Sequence, residues 1–190
     1  MKIVKIMLLL IMSPFLISSY GLEYASFGKT VYPTISSYWE VDPVIKVCKG
    51  LNISRHRVNM ALEYWRKLGY TFEKIVFDDE SISCAGKPMF GEIIISIPDQ
   101  DFDYSKIALT KRTFRKDIGI VIYAEISLQE NKVTKERVLE HEIGHALGWD
   151  HTNIKYHIMH ESWEYGGHSS SGLSHRRYKE LYELIKLSTQ

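Results

Sequence analysis

The eleven residues "HEIGHALGWDH", from His141 to His151, constrain the fold more than any other part of this chain. On a helix, His141 and His145 are one turn apart, so their imidazoles stand on one face and can hold a single metal ion. His151 reaches the same ion only if the helix ends before it and the chain turns back. Gly148 allows this turn, because glycine tolerates the left-handed backbone of a helix end. The pattern therefore predicts a helix, a turn and three clustered histidines.

The residue types in this stretch predict a catalytic zinc site. Three neutral imidazoles leave a fourth position for water, and zinc lowers the pKa of that water to about 7. Glu142, beside the first histidine, is placed to accept a proton from the water and return it to a leaving amine. Chance is a poor alternative, since a random chain of this composition contains the arrangement with a probability of about one in ten thousand. The expected zinc ligands are His141, His145 and His151, with Glu142 as general base.

The first 21 residues have the pattern of a secretory signal peptide. Two lysines precede an apolar run from Ile6 to Ile17, and small residues follow up to Gly21. A membrane anchor is the alternative, but the run contains Pro14 and is shorter than the roughly 20 residues of a spanning helix. We expect cleavage after Gly21 and an exported protein, extracellular or periplasmic, with no membrane attachment in its mature form.

The length of the remaining chain predicts one domain, and its charge argues against a polyanionic partner. Residues 22–190 are enough for one hydrophobic core. The full chain has 24 Lys and Arg against 23 Asp and Glu, a balance that argues against a dedicated nucleic-acid or anionic-membrane binder. The two cysteines, Cys48 and Cys84, are expected to form a disulfide in an oxidising compartment, although two free thiols remain the alternative.

The hydrophobic pattern predicts an α+β (α/β-like) fold, a twisted mixed sheet of about five strands with three main helices. The predicted strands are Val44 to Cys48, Phe72 to Phe77, Glu92 to Ile97, Ile107 to Phe114 and Ile118 to Leu128. The predicted helices run from an N-cap at Ser54 to about Leu68, from an N-cap at Thr134 through Leu147, and onward from Ser174.

On these residues the sequence resembles the metzincin zinc endopeptidases, whose signature His-Glu-x-x-His-x-x-Gly-x-x-His is matched at every fixed position. Metzincins also place a methionine in a tight turn beneath the metal, and Met159 stands at the corresponding distance. Within this group the chain is most similar to matrixin-type catalytic domains. The segments "HALGWDHT", "VNMALEYWRKLGYTFEKI" and "LSHRRYKELYEL" carry this likeness.

The resemblance implies how a protein or peptide substrate would bind. The edge strand, here Ile107 to Thr113, would run antiparallel to the bound peptide and pair with its backbone. The segment from His160 to Gly172 would form the wall of the pocket that selects the side chain after the scissile bond. Trp163 and Tyr165 would line this pocket, although packing against the body of the domain is the alternative for both.

Several features depart from the family pattern. The loop Pro98 to Lys106 has no histidine for the second, structural zinc of many matrixins, so we expect one zinc. Its aspartates are a possible calcium site or, as the alternative, a solvated acidic loop: Asp99, Asp101 and Asp103. No cysteine precedes the first strand to occupy the zinc in a latent form, and too few residues follow Gly21 for a folded pro-domain.

Two other hypotheses remain open on the sequence alone. A non-catalytic, zinc-stabilised binding protein would use the same groove to hold a peptide or protein, although metal binding by itself does not need Glu142. A peptidase with a glutamate as third ligand would use Glu164 in place of His151. The remaining histidines are expected to be surface or loop residues without a role: His56, His157, His160, His168 and His175.

Overall fold

One five-stranded sheet and two α-helices make up the part of the chain that the computed structural model describes, residues 34–165. The elements are β1 (Val44–Cys48), α1 (Arg55–Arg66), β2 (Ile75–Asp79), β3 (Glu92–Ser96), β4 (Ala108–Arg115), β5 (Ile120–Leu128) and α2 (Val138–Ala146). Single 3-10 turns occur at Glu130–Lys132 and Trp163–Tyr165. The expected signal peptide and the helix expected after Ser174 lie outside the described residues.

The strand order is β2-β1-β3-β5-β4, with four parallel strands and one antiparallel strand. The antiparallel strand is β4, which pairs with β5 and stands at the edge of the sheet. Alternate residues of the inner strands join the buried core, among them Ile45, Val47, Ile93, Ile95, Ala124 and Ile126. The predicted mixed sheet of about five strands in an α+β fold is therefore confirmed.

Helix α1 forms as the sequence predicts and fixes the position of α2. The Ser54 side chain accepts a hydrogen bond from the Arg57 backbone N–H, which satisfies one of the free donors at the helix start. From the buried side of α1, the Trp65 indole N–H donates to the Glu140 carbonyl at 2.8 Å. Arg57 donates to both Glu140 carboxylate oxygens at 3.1 and 2.6 Å, with that carboxylate almost fully buried. These contacts fix the first turn of α2, immediately before His141.

The structure corrects the predicted start of α2. The helix begins at Val138, and its N-cap is Arg137, not Thr134. Arg137 has a left-handed backbone with a φ of 63°, and a helix cannot run through such a residue because its turns need right-handed dihedrals. Residues 130–135 instead form short turns, one of them a hydrogen bond from the Lys135 N–H to the Lys132 carbonyl.

Two strands begin two or three residues later than predicted. Strand β2 begins at Ile75, three residues after the predicted Phe72, and ends at Asp79. Strand β5 begins at Ile120, because Gly119 has a φ of 72° and forms a turn back to Arg115. Ile118, predicted to lie in this strand, is therefore in the turn.

The expected disulfide between Cys48 and Cys84 is confirmed. It connects the end of β1 to the loop between β2 and β3. On the same side of the sheet, Lys46 forms an ion pair with Glu92 at 2.6 Å and hydrogen bonds to Ser81 and Ser83, both at 3.1 Å. This loop is thus held to the sheet by a covalent bond and by buried polar contacts. Neither described helix is long and apolar enough to cross a membrane.

The end of α2 depends on a glycine, as the sequence predicts. Gly148 has a φ of 110° and follows the C-cap Leu147. A Cβ on this residue would overlap the Ser37 carbonyl oxygen and lie 2.8 Å from its carbon. The Gly148 carbonyl accepts a hydrogen bond from the Ser36 N–H at 3.0 Å. The segment before β1 therefore packs directly against the turn that follows the helix.

Replacing this glycine tests how much the turn depends on that close contact. We expect Gly148→Ala to destabilise the protein more than Gly50→Ala. Both positions have a positive φ, and alanine there costs about 1–3 kcal/mol in backbone strain, but only Gly148 would also meet backbone atoms. At Gly50, with a φ of 95°, a Cβ would have no neighbour within 4 Å. Urea unfolding measures both losses, and equal losses would contradict the account.

Candidate metal centre and cleft

Three imidazole nitrogens converge at the surface of α2. The Nε2 atom of His145 lies 3.0 Å from those of His141 and His151, and the latter two are 3.3 Å apart. His141 and His145 stand one turn apart on α2, and His151 reaches them because the chain reverses at Gly148. Among residues 34–165, this is the only group of three or more side chains placed to share a metal ion. The structure thus brings the three predicted ligands together.

Backbone carbonyls hold two of the rings from behind. The Nδ1 atom of His141 lies 2.7 Å from the Ile158 oxygen, and the Nδ1 atom of His145 lies 2.8 Å from the Trp149 oxygen. A carbonyl can only accept, so each ring must donate from Nδ1 and keep its lone pair on Nε2. This is the arrangement by which outer contacts orient histidine ligands. Both lone pairs therefore point at the common centre.

The electrostatics of the cluster suit a metal cation. Burial lowers the pKa of His141 to about 4 and that of His145 to about 3, and it also lowers the pKa of His151. The rings are therefore neutral at neutral pH, which is the form that binds metal. Tetrahedral zinc with bonds of 2.0–2.1 Å would place its nitrogens about 3.3 Å apart. The spacing and the donor type both fit zinc.

Met159 lies beneath the cluster, in a buried turn. The side chain is fully buried, and a Cβ on Gly144 in α2 would overlap its sulfur and lie 2.6 Å from the Trp65 ring. The helix therefore needs a residue without a side chain between its two histidines. The neighbouring Ile158 supplies the carbonyl that orients His141. The predicted methionine is thus in place beneath the helix, and its turn contacts the candidate ligands.

Two histidines without a predicted role are parts of this turn. Both are loop residues, which is one of the two expected placements, but neither lies at the surface, since His157 is 1% exposed and His160 is 8% exposed. The Nδ1 atom of His157 accepts a hydrogen bond from the Met159 N–H at 3.0 Å, and burial lowers the pKa of His157 to about 3. A neutral imidazole thus fixes the turn from inside. His56 is exposed as expected, whereas His168 and His175 lie outside the described residues.

Glu142 lies beside the three histidines, in a nearly water-free position. The residue is 7% exposed, and burial raises the pKa of its carboxyl group to about 7. The Thr110 hydroxyl donates to the Oε2 atom of Glu142 at 2.6 Å. This hydrogen bond lowers the same pKa, but by less than burial raises it. A carboxyl group with a pKa near neutral is suited to accept a proton and to return it.

A cavity of about 520 Å³ lies between β4 and α2 and contains the cluster. Residues 105–110 of the predicted edge strand and its approach line one side, and the helix and the turn residue Ile158 line the other. Trp163 lines the cavity as predicted, and its indole N–H donates to the Glu136 carbonyl at 2.8 Å. The side chain of Tyr165 is not described. Most of the lining surface of the cavity is apolar, and the three histidines and Glu142 are among its polar groups.

Asp150, next to His151, anchors the segment that carries His151. This role was not predicted from the sequence. Asp150 Oδ1 accepts hydrogen bonds from Ser36 at 2.9 Å and from the Arg112 guanidinium of β4 at 3.1 Å. Its Oδ2 accepts from Thr34 at 3.1 Å. The partners are distant in sequence, so no local pattern could reveal the cluster. The anchor holds the segment that carries His151 between the edge strand and the chain before β1.

Two other predicted sites are not assembled. Glu164 is exposed and does not belong to the cluster of three nitrogens, so the geometry favours His151 as the third ligand. The aspartates at positions 99, 101 and 103 form no common group within the described part of the chain. Asp103 instead accepts hydrogen bonds from the Ser105 hydroxyl and N–H, which hold the pKa of its carboxyl below its usual range. No described contact supports calcium.

A sequence model of the matrixin family matches residues 51–184, which is more than half of the chain. The protein belongs to the matrixin family. This match confirms the resemblance drawn from the zinc signature. No curated protein matches the chain at a significant level. Family membership and the three converging histidines both indicate a zinc metallopeptidase that acts on proteins or peptides.

The ligand set of this matrixin can be tested by removing one side chain at a time. We expect His151→Ala to lose most of the bound zinc, because two imidazoles remain where a catalytic zinc needs three protein ligands. Glu164→Ala is expected to keep one zinc per chain, because its carboxylate lies outside the cluster. Zinc content after dialysis against a weak chelator measures both. Zinc loss in Glu164→Ala with retention in His151→Ala would reverse the assignment.

Proposed function

We propose that this matrixin is an exported, zinc-dependent endopeptidase with Glu142 as general base. The observation that carries the proposal is the convergence of three Nε2 atoms at 3.0–3.3 Å beside a buried carboxyl group in one cavity. Metal binding alone would need only the three histidines. A neighbouring carboxyl group whose pKa is near neutral adds proton transfer to that site.

The candidate ligands His141, His145 and His151 would hold a single zinc ion. When bound, zinc would polarise the scissile carbonyl and lower the pKa of a water molecule. The chain's own contribution is to present three neutral imidazoles in a fixed orientation, two of them held by the Ile158 and Trp149 carbonyls. Met159 and His157 would support the first of these carbonyls from below, because they form the same buried turn.

Glu142 would carry the proton during peptide-bond hydrolysis. Its carboxylate would accept a proton as the water oxygen forms its bond to the carbonyl carbon. It would then deliver that proton to the nitrogen as the carbon–nitrogen bond breaks, so that the products leave as an acid and an amine. Burial supports both steps, because it brings the affinity of the carboxyl group for protons close to neutral pH.

Strand β4 would orient the substrate. One side of β4 pairs with β5, and the other is the edge of the sheet in the described residues, next to the cavity. An extended peptide can add to such an edge through backbone hydrogen bonds, while its side chains enter pockets. Ile107, Val138, Ile158 and Trp163 would favour an apolar side chain in the pocket beside the metal.

Export rests on two independent observations. The N-terminal sequence has the charged, apolar and small-residue regions of a signal peptide. The disulfide between Cys48 and Cys84 is of the kind that persists in oxidising compartments. We therefore propose that residues 22–190 act as one catalytic domain outside the cytoplasm.

Replacement of the base tests the proposed function. We expect Glu142→Gln to keep one zinc per chain and the parent's melting temperature, but to cleave peptides about 10²–10⁴ times more slowly, because an amide cannot accept the proton. The exposed Glu63→Gln on α1 is the control and should cleave like the parent. The assay is incubation with a complex peptide library, with new termini read by mass spectrometry.

The same assay separates catalysis from binding. If Glu142→Gln cleaves as fast as the parent, the assignment of Glu142 as general base is wrong. If the zinc-loaded parent cleaves nothing in the library, the result favours a zinc-stabilised binding protein over an endopeptidase.

A further inference from the structure

The hydroxyl group of Thr110 forms the only described hydrogen bond to the carboxylate of Glu142. Its oxygen lies 2.6 Å from the carboxylate Oε2 and 3.2 Å from the Glu142 backbone oxygen. Among residues 34–165, no other group forms a hydrogen bond or ion pair with this carboxylate. We propose that Thr110 is a positioning residue that holds the Glu142 carboxylate in its reactive orientation. The proposal rests on the endopeptidase function proposed above.

The position of Thr110 in β4 gives its hydroxyl little freedom. The residue pairs with Ile126 of β5, and it lines the cavity. Every second side chain of a strand faces the same side. Two positions further along β4, Arg112 accordingly faces the same side and donates to Asp150, next to His151. Threonine is branched at Cβ and has few side-chain rotamers. The donor is therefore fixed by the sheet, not by the helix that carries the base.

The acceptor, by contrast, is flexible. A glutamate side chain has three rotatable bonds, and its carboxylate can turn in several directions unless a partner holds it. With Oε2 bound to Thr110, the second oxygen, Oε1, has no hydrogen-bond partner among the described residues. Glu142 also lines the cavity that contains the histidine cluster. The contact thus occupies one carboxylate oxygen and leaves the other to exchange a proton with a bound substrate or water.

The contact also connects the two parts of the site. Strand β4 would bind the peptide, and α2 carries the base and two candidate metal ligands. One hydroxyl group joins them directly. A substrate aligned along β4 would therefore meet a base whose orientation is set from the same strand. Small displacements of a reacting group lower rates steeply, by about a hundredfold for 1 Å.

Two variants of Thr110 and one control test the proposal. Thr110→Val keeps the shape and the branching but removes the hydroxyl, whereas Thr110→Ser keeps the hydroxyl. Thr71→Val is the control, because it makes the same change at an exposed residue outside the cavity whose hydroxyl also donates to a carboxylate, that of Asp42. We expect Thr110→Val to lower kcat about ten- to a hundredfold with little change in KM, zinc content or melting temperature. Thr110→Ser should recover most of kcat, and Thr71→Val should match the parent.

A binding measurement gives a second readout that does not depend on turnover. A peptide hydroxamate chelates zinc and presents a hydroxyl group to a neighbouring carboxylate, so its affinity reports the orientation of Glu142. Calorimetry on the zinc-loaded proteins should show weaker binding to Thr110→Val, by about tenfold for one lost charged hydrogen bond, and near-parent binding to Thr110→Ser.

The outcomes separate this proposal from the function on which it rests. If the parent cleaves no peptide, the endopeptidase function fails, and the hydroxamate affinities alone decide the positioning role. If Thr110→Val keeps the parent's kcat and hydroxamate affinity, the proposal is overturned. It is also overturned if Thr110→Val loses zinc or melting temperature in proportion to its activity, because the residue would then only tie β4 to α2.

Discussion

The reversal of the chain at Gly148 is the constraint on which the candidate metal centre depends. The left-handed backbone of Gly148 ends α2, and the Ser37 carbonyl fills the space that a side chain on Gly148 would need. The next residue, Trp149, is fully buried and donates from its indole to the Tyr70 hydroxyl at 2.7 Å. Asp150 is then held by Arg112 and Ser36. His151 follows this anchored segment and reaches the two helix histidines.

Burial produces two opposite effects in the same cavity, and both suit hydrolysis. It disfavours the charged form of each group, so it lowers the pKa of His141 and His145 and raises that of Glu142. The imidazoles stay neutral and able to bind metal, while the carboxyl group can take up and release a proton near neutral pH, as the proposed base must. Backbone carbonyls and the Thr110 hydroxyl fix the orientations of these groups. Burial and these hydrogen bonds thus set both the protonation and the orientation of the groups in the candidate metal centre.

The sequence predicted those features that local patterns encode. The spacing of the histidines, the glycine at the helix end and the alternation of the strands all act over a few residues. Local patterns did not reveal the start of α2, because the left-handed backbone of Arg137 has no signature in its residue type. They also missed the burial of His157 and the contact between Thr110 and Glu142, 32 residues apart. Such contacts arise only when the sheet and the helix pack together.

X-ray absorption at the zinc edge of the zinc-loaded protein tests the central claim most directly, because it counts the imidazoles bound to the metal and identifies the remaining ligand. The account predicts one zinc with three imidazole nitrogens and one oxygen of exchangeable water, at about 2.0–2.1 Å. Four imidazoles, with His160 or another histidine closing the fourth position, would contradict it. Such a site would be structural, and the cavity beside it would have no place for a water to attack a peptide bond.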